Sequence, residues 1–111
     1  MKKAGIIRCR QTEDMCPGTG CFQAAIAGSG AFAEYGPVEI IGFVSCGACP
    51  GKKAVSRAKM LVDRGAEMIV FASCIFKGTP IGFSCPNAVT MKEAVRKKIG
   101  ENPIILDYTH L

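Results

Sequence analysis

"VEIIGFVSCGACPGKKAVSRAKMLVDRGAEMIVFASC", residues 38–74, decides the fold. It opens on an apolar run rich in Ile, Val and Phe, 38–46, that reads as a buried strand. A helical pattern follows over 50–65. There Ala54, Val55, Ala58, Leu61 and Val62 recur at three- and four-residue spacing, while Lys53, Arg57, Lys59 and Arg64 take the other side. Pro50 suits the first turn and Gly65 the end. A second apolar run, 67–74, closes the stretch. Strand, helix, strand in this order is the unit of a parallel sheet.

The pattern extends outward in both directions. Strand-like runs also occupy 4–9 and 103–110. Residues 87–99 read as a helix, with Asn87 a plausible N-cap and Gly100 beyond its end. Residues 20–35 read as a short or broken helix, because Gly28 and Gly30 interrupt it. The alternation predicts one α/β domain over 1–111. It is a four-stranded parallel sheet in the flavodoxin-like order 2-1-3-4, with helices on both faces.

Composition sets the function classes. The chain of 111 residues carries a net charge of +5. It lacks Trp and shows little interleaving of aromatic with basic residues, which argues against nucleic acid as a partner. The apolar stretch near the N-terminus breaks at Arg8, too short for a signal peptide or a membrane span. These features predict a cytoplasmic protein. Seven cysteines, an odd number, then point to metal binding or thiol chemistry rather than a disulfide framework.

Topology gathers those cysteines. Cys9, Cys46 and Cys74 end the first three runs, Cys49 follows in its loop, and His110 ends the fourth run. In a parallel sheet these ends share one edge, where open α/β folds bind ligands. The long connections after the first and third runs carry Cys16, Cys21 and Cys85 towards the same edge. Three cysteines precede proline, Cys16, Cys49 and Cys85, as in the Cys-Pro end of a ferredoxin cluster run.

Three readings compete. A single thiol at a strand end is commonly a small core residue, but core cysteines scatter rather than collect on one edge. Cys46-Gly47-Ala48-Cys49 resembles a thioredoxin-type pair, whose thiol would be activated by a helix N-terminus. That leaves five cysteines unexplained, and Ser45 stands where an aromatic is expected. Gly47 to Lys53 falls short of a phosphate-binding P-loop by one residue and lacks its Ser or Thr.

The best metal ligand set is Cys9, Cys46, Cys49 and Cys74, with Cys16, Cys85 and His110 a reserve or second set. Thiols from three strands span about 10 Å at a strand spacing of ~4.8 Å, which favours an iron–sulfur cluster over zinc. Lys52 and Lys53, at the start of the helix after Cys49, would offset the cluster's negative charge. A redox or sulfur partner of unstated identity would follow.

The segments "GIIRC", "QTEDMCPGT", "SCGACPGKKAVSRAKMLVDRGA", "ASC", "KGTPIGFSCP" and "LDYTH" together resemble the CGGC-domain family. The resemblance covers nearly the whole chain. It implies metal binding through cysteines and histidine, and the pattern matches Cys9, Cys16, Cys46, Cys49, Cys74, Cys85 and His110. Cys21 lies outside the pattern. Ala48 replaces the second glycine of the central motif, at a cost of about 1 kcal/mol if that position needs positive φ.

Overall fold

The computed structural model describes residues 1–110. Four parallel strands form one sheet: β1 (Lys3–Arg8), β2 (Glu39–Ser45), β3 (Met68–Phe71) and β4 (Ile104–Leu106), in the order β2-β1-β3-β4. This is the order the sequence predicts. β1 lies inside the sheet with β2 and β3 as neighbours, and Ala4 to Arg8 are all buried. The helices are α1 (Thr19–Ala27), α2 (Lys53–Asp63), α3 (Ser73–Phe76) and α4 (Ala88–Ile99). A 3₁₀ turn at Arg10–Thr12 follows β1, and another at Gly30–Phe32 follows α1.

Helices α2 and α4 pack against each other on one face. The other face is covered by α1 and by the fully buried Phe32. Leu61 explains two glycines inside strands. Gly5 and Gly42 are paired across β1 and β2. A Cβ on Gly5 would sit 2.6 Å from Leu61 Cδ1, and one on Gly42 would collide with the same side chain. The glycine pair is the hollow that admits Leu61, so α2 approaches the sheet closely. Every strand ends at the same edge, and that edge positions the thiols.

Local boundaries depart from the sequence pattern in three places. The helical pattern from Pro50 predicts a helix there, but α2 begins at Lys53. Gly51 adopts φ 90°, a left-handed conformation that no helix can include. The apolar run 67–74 predicts a strand through Cys74, but β3 stops at Phe71 and Cys74 lies in α3. Ser73 diverts the chain: its Oγ accepts the amides of Thr109 at 3.2 Å and His110 at 3.1 Å. The run 103–110 predicts a strand reaching His110, but β4 ends at Leu106. The residues after it leave the sheet to bury Thr109 completely. Among the described residues no helix is long and apolar enough to cross a membrane.

Candidate metal centre

Cys9 leaves the end of β1 just before the 3₁₀ turn. Its amide donates to Cys74 Sγ at 3.2 Å. Cys74 is buried in the single turn of α3. Cys49 is exposed, and Gln11 Nε2 reaches its sulfur at 3.8 Å. Cys85 is tied back by its own amide, which donates to the carbonyl of Ile75 at 2.7 Å. Its sulfur accepts the amide of Asn87 at 3.4 Å. These four thiols, with Gln11, border one cavity of about 40 Å³. Ile81 and Phe83, from the loop that leads to Cys85, line it as well.

Cys46 is buried behind this group. Its amide donates to the carbonyl of Arg8 at 2.7 Å, continuing the β1–β2 ladder past the last strand residue. The loop after it is held by α2: Arg57 Nη1 donates to the Ser45 carbonyl at 2.9 Å and to Ser45 Oγ at 3.0 Å. Ser45 Oγ in turn accepts the amide of Gly47 at 3.1 Å. Gly47 and Ala48 both have positive φ, 82° and 90°. Ala48 therefore occupies a conformation that disfavours any side chain. Lys53 lies against Gly47, whose added Cβ would be 2.6 Å from Lys53 Cβ. Lys52 instead borders an apolar groove between α2 and α4, beside Val55 and Met91.

Cys16, Cys21 and His110 do not border the thiol cavity. Cys21 is buried in α1, 3.1 Å from Thr109 Oγ1. The carbonyl of Cys16 accepts Arg8 Nη2 at 2.6 Å. The His110 imidazole stands against Gly20, where an added Cβ would be 2.9 Å from Nε2. The seven thiols thus divide. Cys9, Cys49, Cys74 and Cys85 meet at the cavity with Cys46 behind them, while Cys16 and Cys21 lie by α1.

Burial pushes the Cys9 thiol above its ordinary pKa. The nearby thiols of Cys74 and Cys46 add to the rise, and the amides of Gln11 and Thr12 oppose it. Burial also raises Cys21, against the hydrogen bond from Thr109. All seven cysteines are free thiols. In this arrangement, no three His, Cys, Asp or Glu side chains among the described residues converge tightly enough to hold an ion. The four thiols share a cavity without being drawn onto a common point.

Sequence reading singled out neither Gln11 nor Arg57. Arg57 follows the helical polar stripe, and nothing local shows that it reaches back twelve residues to Ser45. A larger cavity of about 520 Å³ lies beside β4, with Tyr35, Lys92 and Tyr108 among its walls, but it holds no thiol.

A family model described as the CGGC domain matches residues 3–110. A Methanocaldococcus jannaschii protein, the uncharacterized MJ0582, is 42% identical over 80 residues, which is 67% of this chain and 62% of that protein. A second protein of the same organism, the uncharacterized MJ0766, is 36% identical over 55 residues, or 49% of this chain and 79% of that protein. The chain thus spans less than two thirds of the first of these relatives, 62% of its length. No solved structure matches the chain.

Proposed function

The chain belongs to the CGGC-domain family, and we propose that it binds a metal through the thiolates of Cys9, Cys49, Cys74 and Cys85. One observation carries this reading: four of the seven thiols border a single cavity at the C-terminal edge of the sheet. The donor set fits the group. Thiols without carboxylates select zinc or iron–sulfur centres over hard cations.

We take zinc as the occupant, because a tetrahedral ion needs only four thiolates and no assembled sulfide, whereas strand spacing alone suggests the larger cluster. A bound zinc ion would draw the thiols into thiolates and tie β1, α3 and the two cysteine loops together. Arg57 holds the Cys46–Cys49 loop through Ser45, and Gln11 orients Cys49. Cys46 stands in reserve behind Cys9.

Anaerobic purification with metal and acid-labile sulfide analysis tests the proposal. One zinc per chain without sulfide is the expected result. Stoichiometric iron and sulfide, with visible absorption, would replace zinc by a cluster. A folded chain that takes up neither would end the metal reading.

A second reading rests on the asymmetry of the central pair. Cys49 is exposed and Cys46 buried, as an attacking and a resolving thiol would be. Against it, α2 begins at Lys53, so Cys49 lies ahead of the helix's first turn rather than in it. Disulfide reductase turnover that survives Cys9→Ser and Cys74→Ser would favour exchange over metal binding.

A further inference from the structure

β2 is an edge strand: among the described residues its only strand neighbour is β1. Ladder alternation fixes which of its main-chain groups are free. The amides of Glu39 and Cys46 both donate into β1, to the carbonyls of Lys2 at 2.9 Å and Arg8 at 2.7 Å. Ile41 is the extra residue where the register shifts opposite Ala4 and Gly5. Counting back from Cys46 in twos turns Val44 and Gly42 towards β1, and Ser45 and Phe43 outwards. The outward Ser45 carbonyl is where Arg57 Nη1 donates, at 2.9 Å. The amide and carbonyl of Phe43 point to the same side, which lacks a strand.

Edges are normally blunted by charge or proline along the strand. Residues 40–45, Ile-Ile-Gly-Phe-Val-Ser, carry neither. The bulge lies in the first half of the strand and leaves Gly42 to Ser45 in regular register. Apolar side chains flank the edge. Ile26 of α1 and Met1, both exposed, border a groove of about 350 Å³ with Phe22 and Ile40. Met60, also exposed, lies on the side of α2 that carries Arg57. Charge then selects the occupant. The strand begins at the exposed Glu39. Beyond its end the exposed Lys53 lies against Gly47, and Arg57 holds Ser45. Acid at one end and base at the other match when two copies run antiparallel, whereas a parallel pair would set like charge against like.

We propose that β2 is a dimerisation edge, on which a second copy of this chain pairs its own β2 antiparallel about a two-fold axis at Phe43. The two four-stranded sheets then become one continuous sheet. Each Phe43 amide donates to the Phe43 carbonyl of the other copy, which satisfies the free groups on both edges. In this register Ser45 faces Ile41 and Gly47 faces Glu39, so Glu39 of each copy meets Lys53 of the other. The pairing uses no residue that borders the thiol cavity.

Sedimentation equilibrium on a dilution series tests the proposal, with reductant present so that no disulfide links two copies. A reversible monomer–dimer equilibrium is expected. Hydrogen exchange on the same series should show the Phe43 amide protected at high concentration and unprotected on dilution. The Val44 amide, which faces β1, should stay protected throughout. Glu39→Lys, at an exposed position, should weaken the dimer at least about tenfold, and adding Lys53→Glu to the same chain should restore it. A monomer at every concentration would overturn the proposal. So would a dimer in which Phe43 exchanges as fast as in the monomer, since its interface would lie elsewhere. A dimer that Glu39→Lys leaves unchanged, or that Lys53→Glu does not restore, would overturn the antiparallel register.

Discussion

The backbone amide of Cys9 donates to the thiol sulfur of Cys74 across 3.2 Å. This contact joins the end of β1 to α3, 65 residues further along the chain. It exists because β1 and β3 are parallel neighbours and both strands end at the same edge. Topology brings the two residues to that edge. The turn of α3 then swings the Cys74 sulfur onto the amide, and Cys49 and Cys85 are brought up by loops from either side.

Ala48 carries strain in the loop that holds Cys49. At φ 90° its Cβ crowds the backbone, where glycine would not. Ala48→Gly should raise the stability of the metal-free chain by about 1 kcal/mol, although glycine gains freedom in the unfolded state. Urea unfolding measures it through the midpoint at constant slope. A lower midpoint would show that the loop is relaxed with alanine in place.

The close approach of α2 to the sheet depends on the Gly42–Leu61 contact. Gly42→Ala should destabilise the fold by roughly 1–3 kcal/mol through overpacking. Leu61→Ala should cost about 3 kcal/mol through a cavity. In the double variant the alanine at 42 gains room, so the two losses should fall short of their sum by at least ~0.5 kcal/mol. Strict additivity would mean that Leu61 does not occupy the glycine hollow.

Lys53 lies on Gly47 in the cysteine loop, while Lys52 turns towards the groove between α2 and α4. Both are exposed. If their charge supports an anionic metal–thiolate centre, Lys52→Glu with Lys53→Glu lowers metal retention against a chelator. Lys53→Glu alone should account for most of the loss. The effect should shrink at high salt, where exposed charges are screened beyond ~3 Å at 1 M. Retention unchanged at low salt would leave both lysines as surface residues.

The sheet was readable because its strands are dense apolar runs separated by helical spacing, and alternation of that kind admits few topologies. The expectation that the thiols gather at one edge rested on the same argument; Cys9, Cys49, Cys74 and Cys85 share a cavity there, while Cys16 and Cys21 lie by α1. What eluded the sequence depends on long-range contacts. Cys74 lies in a helix because Ser73 is engaged by Thr109 and His110, 36 and 37 residues away. The start of α2 moved past Pro50 because Gly51 takes a left-handed conformation, which helical periodicity does not register. The division of the thiols was hidden too: Cys85 returns to the cavity through an amide bond to Ile75, whereas His110 follows Thr109 towards α1. Ala48 does take a positive φ of 90°, the condition under which alanine in place of the family's second glycine carries a cost.

The most direct test of the central claim is a serine scan of all seven cysteines, read as zinc bound per folded chain. Cys9→Ser, Cys49→Ser, Cys74→Ser and Cys85→Ser should each weaken zinc at least about tenfold, the scale on which even supporting contacts act on metal affinity. Cys16→Ser and Cys21→Ser should leave it unchanged. Equal losses at Cys16 or Cys21, or full zinc binding by Cys74→Ser, would contradict a centre built on the thiol cavity.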